Sequence, residues 1–234
     1  MKLYRYLSYV PGKKTESAFV RKLLRSLEEP HIVLSNPELF NDPFEFKFSI
    51  LRRDDEPRNT RWATEVTGRS YCLHSTKVIS FSKFPDNLLM WAVYGRAHTG
   101  VVLEFSDAFV DWLKRHSAMF SRVRYGKDVP LLDIRQGEDP NVAAKLFFAK
   151  STAWRHEKEY RAIFLDSTED KLTMPKDMLS GVILGARCSQ RLENALYERL
   201  GEGNYPRLKE AIIMHRQYRI VIQDYTSKVR PMRT

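Results

Sequence analysis

Cysteine is nearly missing: only Cys72 and Cys188 occur in 234 residues, far apart and without Cys-x-x-Cys spacing. That argues against a disulfide framework or a thiolate zinc site and fits a reducing, cytoplasmic setting. Long apolar runs are missing as well. Nothing approaches the roughly 20 apolar residues of a membrane span, and "MKLYRYLSYVPGKKTES" lacks the apolar stretch of a signal peptide. A soluble protein with no membrane partner is expected. The ten glycines form no phosphate-binding loop: "GEGNYP" is not Gly-x-Gly-x-x-Gly, and there is no Walker loop or Gly-x-Ser-x-Gly elbow. His31, His74, His98, His116, His156 and His215 are scattered without His-x-x-x-His spacing, so no metal site is expected.

Positive charge is what the chain has in excess. Its 39 Lys and Arg against 29 Asp and Glu give a formal +10. Such a surface attracts polyanions: nucleic acid, a dinucleotide or an acidic protein target. With 43% hydrophobic and 29% charged residues the composition is globular. The length suits one compact domain over 1–234.

Periodicity sketches the elements. "KLYRYLSYV" reads as an opening strand closed by Pro11-Gly12. "TESAFVRKLLRSLEEP" places Phe19, Leu23, Leu24 and Leu27 on one helical face, with Lys22 and Arg25 opposite and Pro30 beyond its end. "HIVLS" and "KVISFS" read as strands; the polar stretch 51–68 between them, which holds Trp62, reads as a loop or short helix. Asp86 can cap a helix through "NLLMWAVY" that ends at Gly95. Apolar on nearly every side, that helix is expected to be deeply buried. "GVVLEF" reads as a strand before a helix "DAFVDWLKRH" capped by Ser106. Asp139-Pro140 should open a helix running through Trp154. "EYRAIFL", "GVILG", a helix over Leu192, Ala195, Leu196 and Leu200, "EAIIMH" and "YRIVIQDY" complete the chain. Because strands and helices mix without regular alternation, the predicted class is α+β: a single compact domain of mixed, mostly antiparallel sheets with flanking helices.

Five segments can carry chemistry. In "LYRY", Arg5 on a strand could grip a phosphate or carboxylate bidentately, or stand as a charge between two packed tyrosines. In "SFS", strand alternation points Ser80 and Ser82 to one face, where they could bond a ligand or cap the next turn. In "EKEYR", an extended chain would place Glu157 and Glu159 on one face with Lys158 and Tyr160 opposite. Paired carboxylates suit a reaction that develops positive charge, such as heterolysis of an N-glycosidic bond. The plain alternative is a strand edge ion-paired to His156, Lys158 or Arg161, worth little. In "SNPELFNDPFEF", Asn41 and Asp42 are candidate pocket residues on a turn set by Pro43, and Glu45 offers a further polar contact. Phe46 and Phe48 anchor the segment in the core. Tyr94, at the end of the "MWAVYG" helix, could reach a cleft.

The order Arg, Ser-x-Ser, Glu-x-Glu is similar to that of the arginine–serine–glutamate branch of the ADP-ribosyltransferase superfamily. That resemblance implies NAD as substrate, with Arg5 on its phosphate or ribose and Ser80, backed by Ser82, on the nicotinamide side. It implies Glu159 as the catalytic carboxylate and Glu157 as orienter of the acceptor, with Tyr94 or Phe44 stacking on nicotinamide. The chain departs from the pattern in having Ser-Phe-Ser where Ser-Thr-Ser is usual. "LYRY", "LSNPELFNDPFE", "LLMWAVYGRAHTGVVLEF" and "KSTAWRHEKEYR" together also resemble an uncharacterised prokaryotic domain-of-unknown-function family of bacteria, archaea and phages. Some of its members lie near anti-phage defence genes, which implies a toxin-type or defence effector without supplying an activity.

Two other function classes compete. One is a basic nucleic-acid-binding protein or nuclease, with Tyr4, Tyr6 and Trp62 stacking on bases and Asp42, Glu104 and Glu159 as the acids a nuclease centre would need. The other is a non-catalytic interaction module in phage–host conflict.

Overall fold

The computed structural model describes residues 1–8, 13–51, 76–133, 142–201 and 204–226. Pro11-Gly12, Trp62, Cys72, His74 and Asp139-Pro140 lie outside these residues. The strands are β1 (Leu3–Leu7), β2 (His31–Val33), β3 (Ser49–Leu51), β4 (Lys77–Ser82), β5 (Val101–Phe105), β6 (Met119–Arg122) and β7 (Arg124–Gly126). They continue with β8 (Leu131–Asp133), β9 (Ala149–Ser151), β10 (Glu159–Phe164), β11 (Lys171–Thr173), β12 (Leu179–Leu184), β13 (Arg207–Ile213) and β14 (Ile220–Asp224). The helices are α1 (Lys13–Glu28), α2 (Leu88–Val93), α3 (Asp107–His116), α4 (Val142–Phe147) and α5 (Gln190–Leu200). The class is α+β, with mixed, mostly antiparallel pairing and flanking helices. None of the described helices is long and apolar enough to cross a membrane.

Two compact units divide the chain. The first takes Met1–His31, Ser82–Val110 and Thr173–Thr234; the second takes Ile32–Phe81 and Asp111–Leu172.

In the first unit the strands run in the order β14-β13-β12-β5-β1. Pairing is antiparallel except between β12 and β13, where Val182 opposes Leu208 in a parallel register. All five residues of β5 are buried, as expected of a central strand covered on both faces. Tyr6, Met90, Trp91, Val102, Ile183, Ala211 and Ile220 form the core, with Tyr94 packed against it. Helix α1 buries Leu23 and Leu27 of the predicted face together with Val20, leaves Phe19 and Leu24 half-buried, and exposes Lys22 and Arg25 as expected.

Helix α2 corrects its sequence reading twice. Its cap is Asn87, not Asp86: the Asn87 side chain accepts from the backbone N–H of Leu89 at 2.9 Å and Met90 at 3.2 Å. Nor is it deeply buried all round. Met90 and Trp91 point inward, while Leu88, Leu89 and Val93 are 39–52% exposed. A helix of under two turns offers the core one face only, so its remaining apolar side chains meet solvent. Gly95 serves close approach, since a Cβ there would lie 2.6 Å from Trp91 Cε3. Ser106 precedes α3, but its hydroxyl is buried without a hydrogen-bond partner among the described residues; its carbonyl, rather than its side chain, accepts from Phe109 N–H.

In the second unit the order is β4-β10-β6, with β10 and β6 antiparallel and Arg161 opposite Ser121. Its core gathers Phe46, Val78, Leu146, Phe147, Phe148 and Ile163. The helix expected to reach Trp154 stops at Phe147 as α4. The chain then pairs β9 with β7 in parallel, Tyr125 beside Lys150, and makes a 3₁₀ helix over Thr152–Glu157 capped by the Ser151 hydroxyl. No glycine or proline marks this break. Tertiary pairing overrides local propensity here: Arg124 N–H donates to Phe148 O at 2.6 Å.

Candidate functional site

Glu157 and Glu159 are not a surface strand edge. Each is only 3% exposed, and they do not share an extended segment. Glu157 ends the 3₁₀ helix, Lys158 turns left-handed at φ 48°, ψ 48°, and Glu159 opens β10. The turn brings both acids to one cation. Lys150 Nζ donates to Glu157 Oε2 at 2.6 Å and to Glu159 Oε2 at 3.1 Å, and it pairs with Glu45 Oε1 at 3.1 Å. Arg161, fully buried one side-chain repeat along β10, completes the cluster. Its Nε donates to Glu159 Oε1 at 2.7 Å, its Nη2 to Glu45 Oε1 at 2.7 Å, and its Nη1 to Phe147 O at 2.9 Å. The guanidinium also lies over the rings of Phe40 and Phe46, 6.0 and 5.3 Å from their centroids.

Three carboxylates around two cations leave one negative charge in excess, in surroundings where each ion depends on its partners. Burial pushes the Glu159 carboxyl up, but Arg161 and Lys150, with a hydrogen bond from Ser80, outweigh it and hold it down at about 2. Burial alone would lower Lys150, yet Glu159, Glu45 and Glu157 hold its ammonium firmly charged. Glu45 Oε2 is buried with no hydrogen-bond partner among the described residues.

Beside this cluster lies a cavity of about 340 Å³, lined by Tyr125 and Lys150, by Phe44 and Lys47, and by the 126–130 loop with Arg124. The parallel β7–β9 register builds its inner wall, because it sets Tyr125 next to Lys150. Tyr125 is half-buried; its hydroxyl accepts from Glu159 N–H at 2.9 Å, and burial raises its pKa to about 12. Lys47 and the exposed Arg124 and Lys127 add three cations to the lining, with Asp128 its one acid. Phe44 is 58% exposed, with the Lys47 ammonium 4.8 Å from its ring centre.

The other sequence candidates fall as follows. Ser80 meets Glu159 within the second unit. Asp42 is buried in the predicted turn, its Oδ1 accepting from Phe44 N–H at 2.9 Å, while Asn41 is exposed. Arg5, Ser82 and Tyr94 belong to the first unit. Arg5 is half-buried, and burial lowers its pKa to about 10. Ser82 accepts from Phe84 N–H at 3.4 Å, the turn contact expected of a capping serine. Tyr94 packs on the core. Tyr6 donates to Phe84 O at 2.9 Å and sits edge-on to Trp91, so its ring is not open for stacking. Glu104 is held by Lys2 at 2.7 Å, Ser180 at 3.0 Å and Lys209 at 2.8 Å; burial pushes its carboxyl up and the two ammoniums outweigh that. Sequence reasoning missed Lys150 and Tyr125. The one available signal was a lone lysine in the otherwise apolar "LFFAKS".

A family model described as "Protein of unknown function (DUF2971)" matches residues 90–162, under a third of the chain. The matched stretch contains Tyr125, Lys150, Glu157, Glu159 and Arg161, and stops short of Glu45 and Ser80. No curated protein and no solved structure matches the chain.

Proposed function

We propose that the second unit binds a nucleotide in its cavity and that NAD is its substrate, cleaved at the nicotinamide–ribose bond as an ADP-ribosyltransferase or NAD glycohydrolase would cleave it. The observation that carries this reading is the joining of two features: a cavity lined by cations and an exposed aromatic ring, and Glu157 and Glu159 held directly behind Lys150 in its wall. Cations suit the pyrophosphate, and Phe44 suits a base or nicotinamide ring. In the bond cleavage the C–N electron pair leaves with nicotinamide, neutralising its ring. Positive charge gathers on the ribose until water or an acceptor bonds to C1′ and loses a proton. A fixed carboxylate lowers the energy of that charge, the role assigned to Glu159 with Ser80 beside it. For Glu159 to face the ribose, Lys150 must give way as the ligand enters.

Calorimetric titration with NAD, together with chromatographic detection of released nicotinamide, tests both parts. Binding with release that falls by about 100-fold or more in Glu159→Gln supports the enzyme. Binding without release reduces the reading to a nucleotide-binding module, and no binding ends it. The formal +10 charge favours one second reading, a nucleic-acid-binding protein. In that case affinity for single-stranded oligonucleotides falls steeply with salt and is indifferent to Glu159. A toxin-type or defence role would follow from NAD consumption.

A further inference from the structure

The Tyr125 hydroxyl is half-used. It accepts from Glu159 N–H, which occupies one lone pair and leaves its own proton undirected. Among the described residues no acceptor takes that proton. The ring lies in the cavity wall, and with burial holding the phenol protonated at pH 7, the group remains a donor. Neighbouring Lys150 is already committed: it donates to Glu157 and Glu159 and is ion-paired with Glu45. Tyr125 is therefore the inner polar group able to address a ligand.

The mouth has the opposite character. Arg124, Lys127 and Asp128 are exposed, and neither cation makes an ion pair with a described residue. Arg124 presents a planar fork suited to two phosphate oxygens, and Lys127 adds a point charge. Asp128 subtracts one charge and can accept from a sugar hydroxyl. Phe44 offers a large exposed ring already polarised by Lys47.

We propose that this cavity selects nucleotides by their 5′-phosphate (the pyrophosphate in NAD), with that group at Arg124 and Lys127, the base against Phe44, and the Tyr125 hydroxyl donating to a ribose or base acceptor at the inner end. The inference rests on the nucleotide reading above and names its specificity residues. Glu159 then has a second function through its backbone, since its N–H sets the direction in which Tyr125 donates. Tyr125 is a ligand-contacting residue and Glu159 N–H its positioning partner.

The test is titration of AMP, adenosine, inorganic phosphate and NAD into the wild-type chain, Tyr125→Phe, and the double variant Arg124→Ala/Lys127→Ala. AMP should bind wild type at least tenfold more tightly than adenosine, and the double variant should erase that difference while leaving adenosine unchanged. Tyr125→Phe should weaken AMP and adenosine alike by about tenfold, the size of one ligand hydrogen bond. Because Tyr125→Phe also removes the acceptor for a buried N–H, its melting temperature is recorded. The exposed Arg124 and Lys127 positions test phosphate selection on a fold that should be undisturbed. Equal binding of AMP and adenosine to wild type, or full phosphate preference in the double variant, overturns the inference even if NAD binds. Failure of every nucleotide, NAD included, overturns the reading beneath it as well. Phosphate bound with the affinity of AMP would show an anion site with no place for a base, and would also overturn it.

Discussion

Lys150→Met is the sharpest perturbation of the second unit. The ammonium stands 3.1, 2.6 and 3.1 Å from carboxylate oxygens of Glu45, Glu157 and Glu159, and its side chain is 6% exposed. Methionine keeps most of the volume, so the change isolates charge. Glu157 loses the partner at 2.6 Å and stays buried, whereas Glu159 and Glu45 keep Arg161. Removing one member of a buried ion cluster costs about 3–5 kcal/mol. The Glu159 carboxyl, held down from 4.5 to about 2 by Arg161 first and Lys150 second, shows the same dependence on its cations. The pH dependence has a definite sign. Since the folded pKa of Glu159 lies below its unfolded value, this stabilisation is fully present above about pH 4.5 and is lost as pH falls toward about 2. Urea denaturation followed by circular dichroism at pH 7 and pH 3 should therefore show a variant about 3–5 kcal/mol less stable at neutral pH, and a narrower gap at pH 3. A loss under about 1 kcal/mol at pH 7, the size of an exposed ion pair, would refute the cluster's role in the fold. So would a gap that does not narrow with acid.

Three further outcomes follow from the first unit. Asn87→Ala removes the side chain that accepts from Leu89 and Met90 N–H and should cost about 1 kcal/mol by thermal unfolding. Gly100→Ala would bring a Cβ to 2.1 Å from Leu7 O, at the β1–β5 pairing, and should lower stability by about 2 kcal/mol or more in urea. Leu89→Lys, at a position 52% exposed, should change stability by no more than about 0.5 kcal/mol. A larger loss would mean that the outer face of α2 is covered.

Elements whose evidence is local were legible in the sequence. Alternation and apolar runs placed β1, β4, β5, β10, β12, β13 and β14, and the helical stripe of Phe19, Leu23, Leu24 and Leu27 placed α1. What sequence could not supply was tertiary. Nothing in "LFFAKSTAWRHE" says that the helix must break so that β9 can pair with β7, because the partner Tyr125 is 25 residues earlier by number. The exposure of Leu88, Leu89 and Val93 likewise depends on which side of a short helix finds a core. At the site, Glu157 and Glu159 stood out by spacing, and Glu45 as a polar contact. Their meeting point, Lys150, carried no motif, since one lysine in an apolar run has many explanations. Spacing suggested a pleated strand with both acids on one face. They do converge, though by a turn rather than a pleat.

That turn rests on one residue. Lys158 adopts a left-handed conformation that L-residues enter at a penalty of about 1–2 kcal/mol, with Glu157 closing a helix behind it and Glu159 starting a strand ahead. The two acids thus work like the jaws of a clasp, and Lys158 is its pivot. What such a clasp cannot tolerate is a change of length. Glutamine in either jaw still reaches the ammonium, whereas one inserted residue would swing a jaw to the wrong side. In this segment the count of residues between the acids carries as much information as the acids themselves.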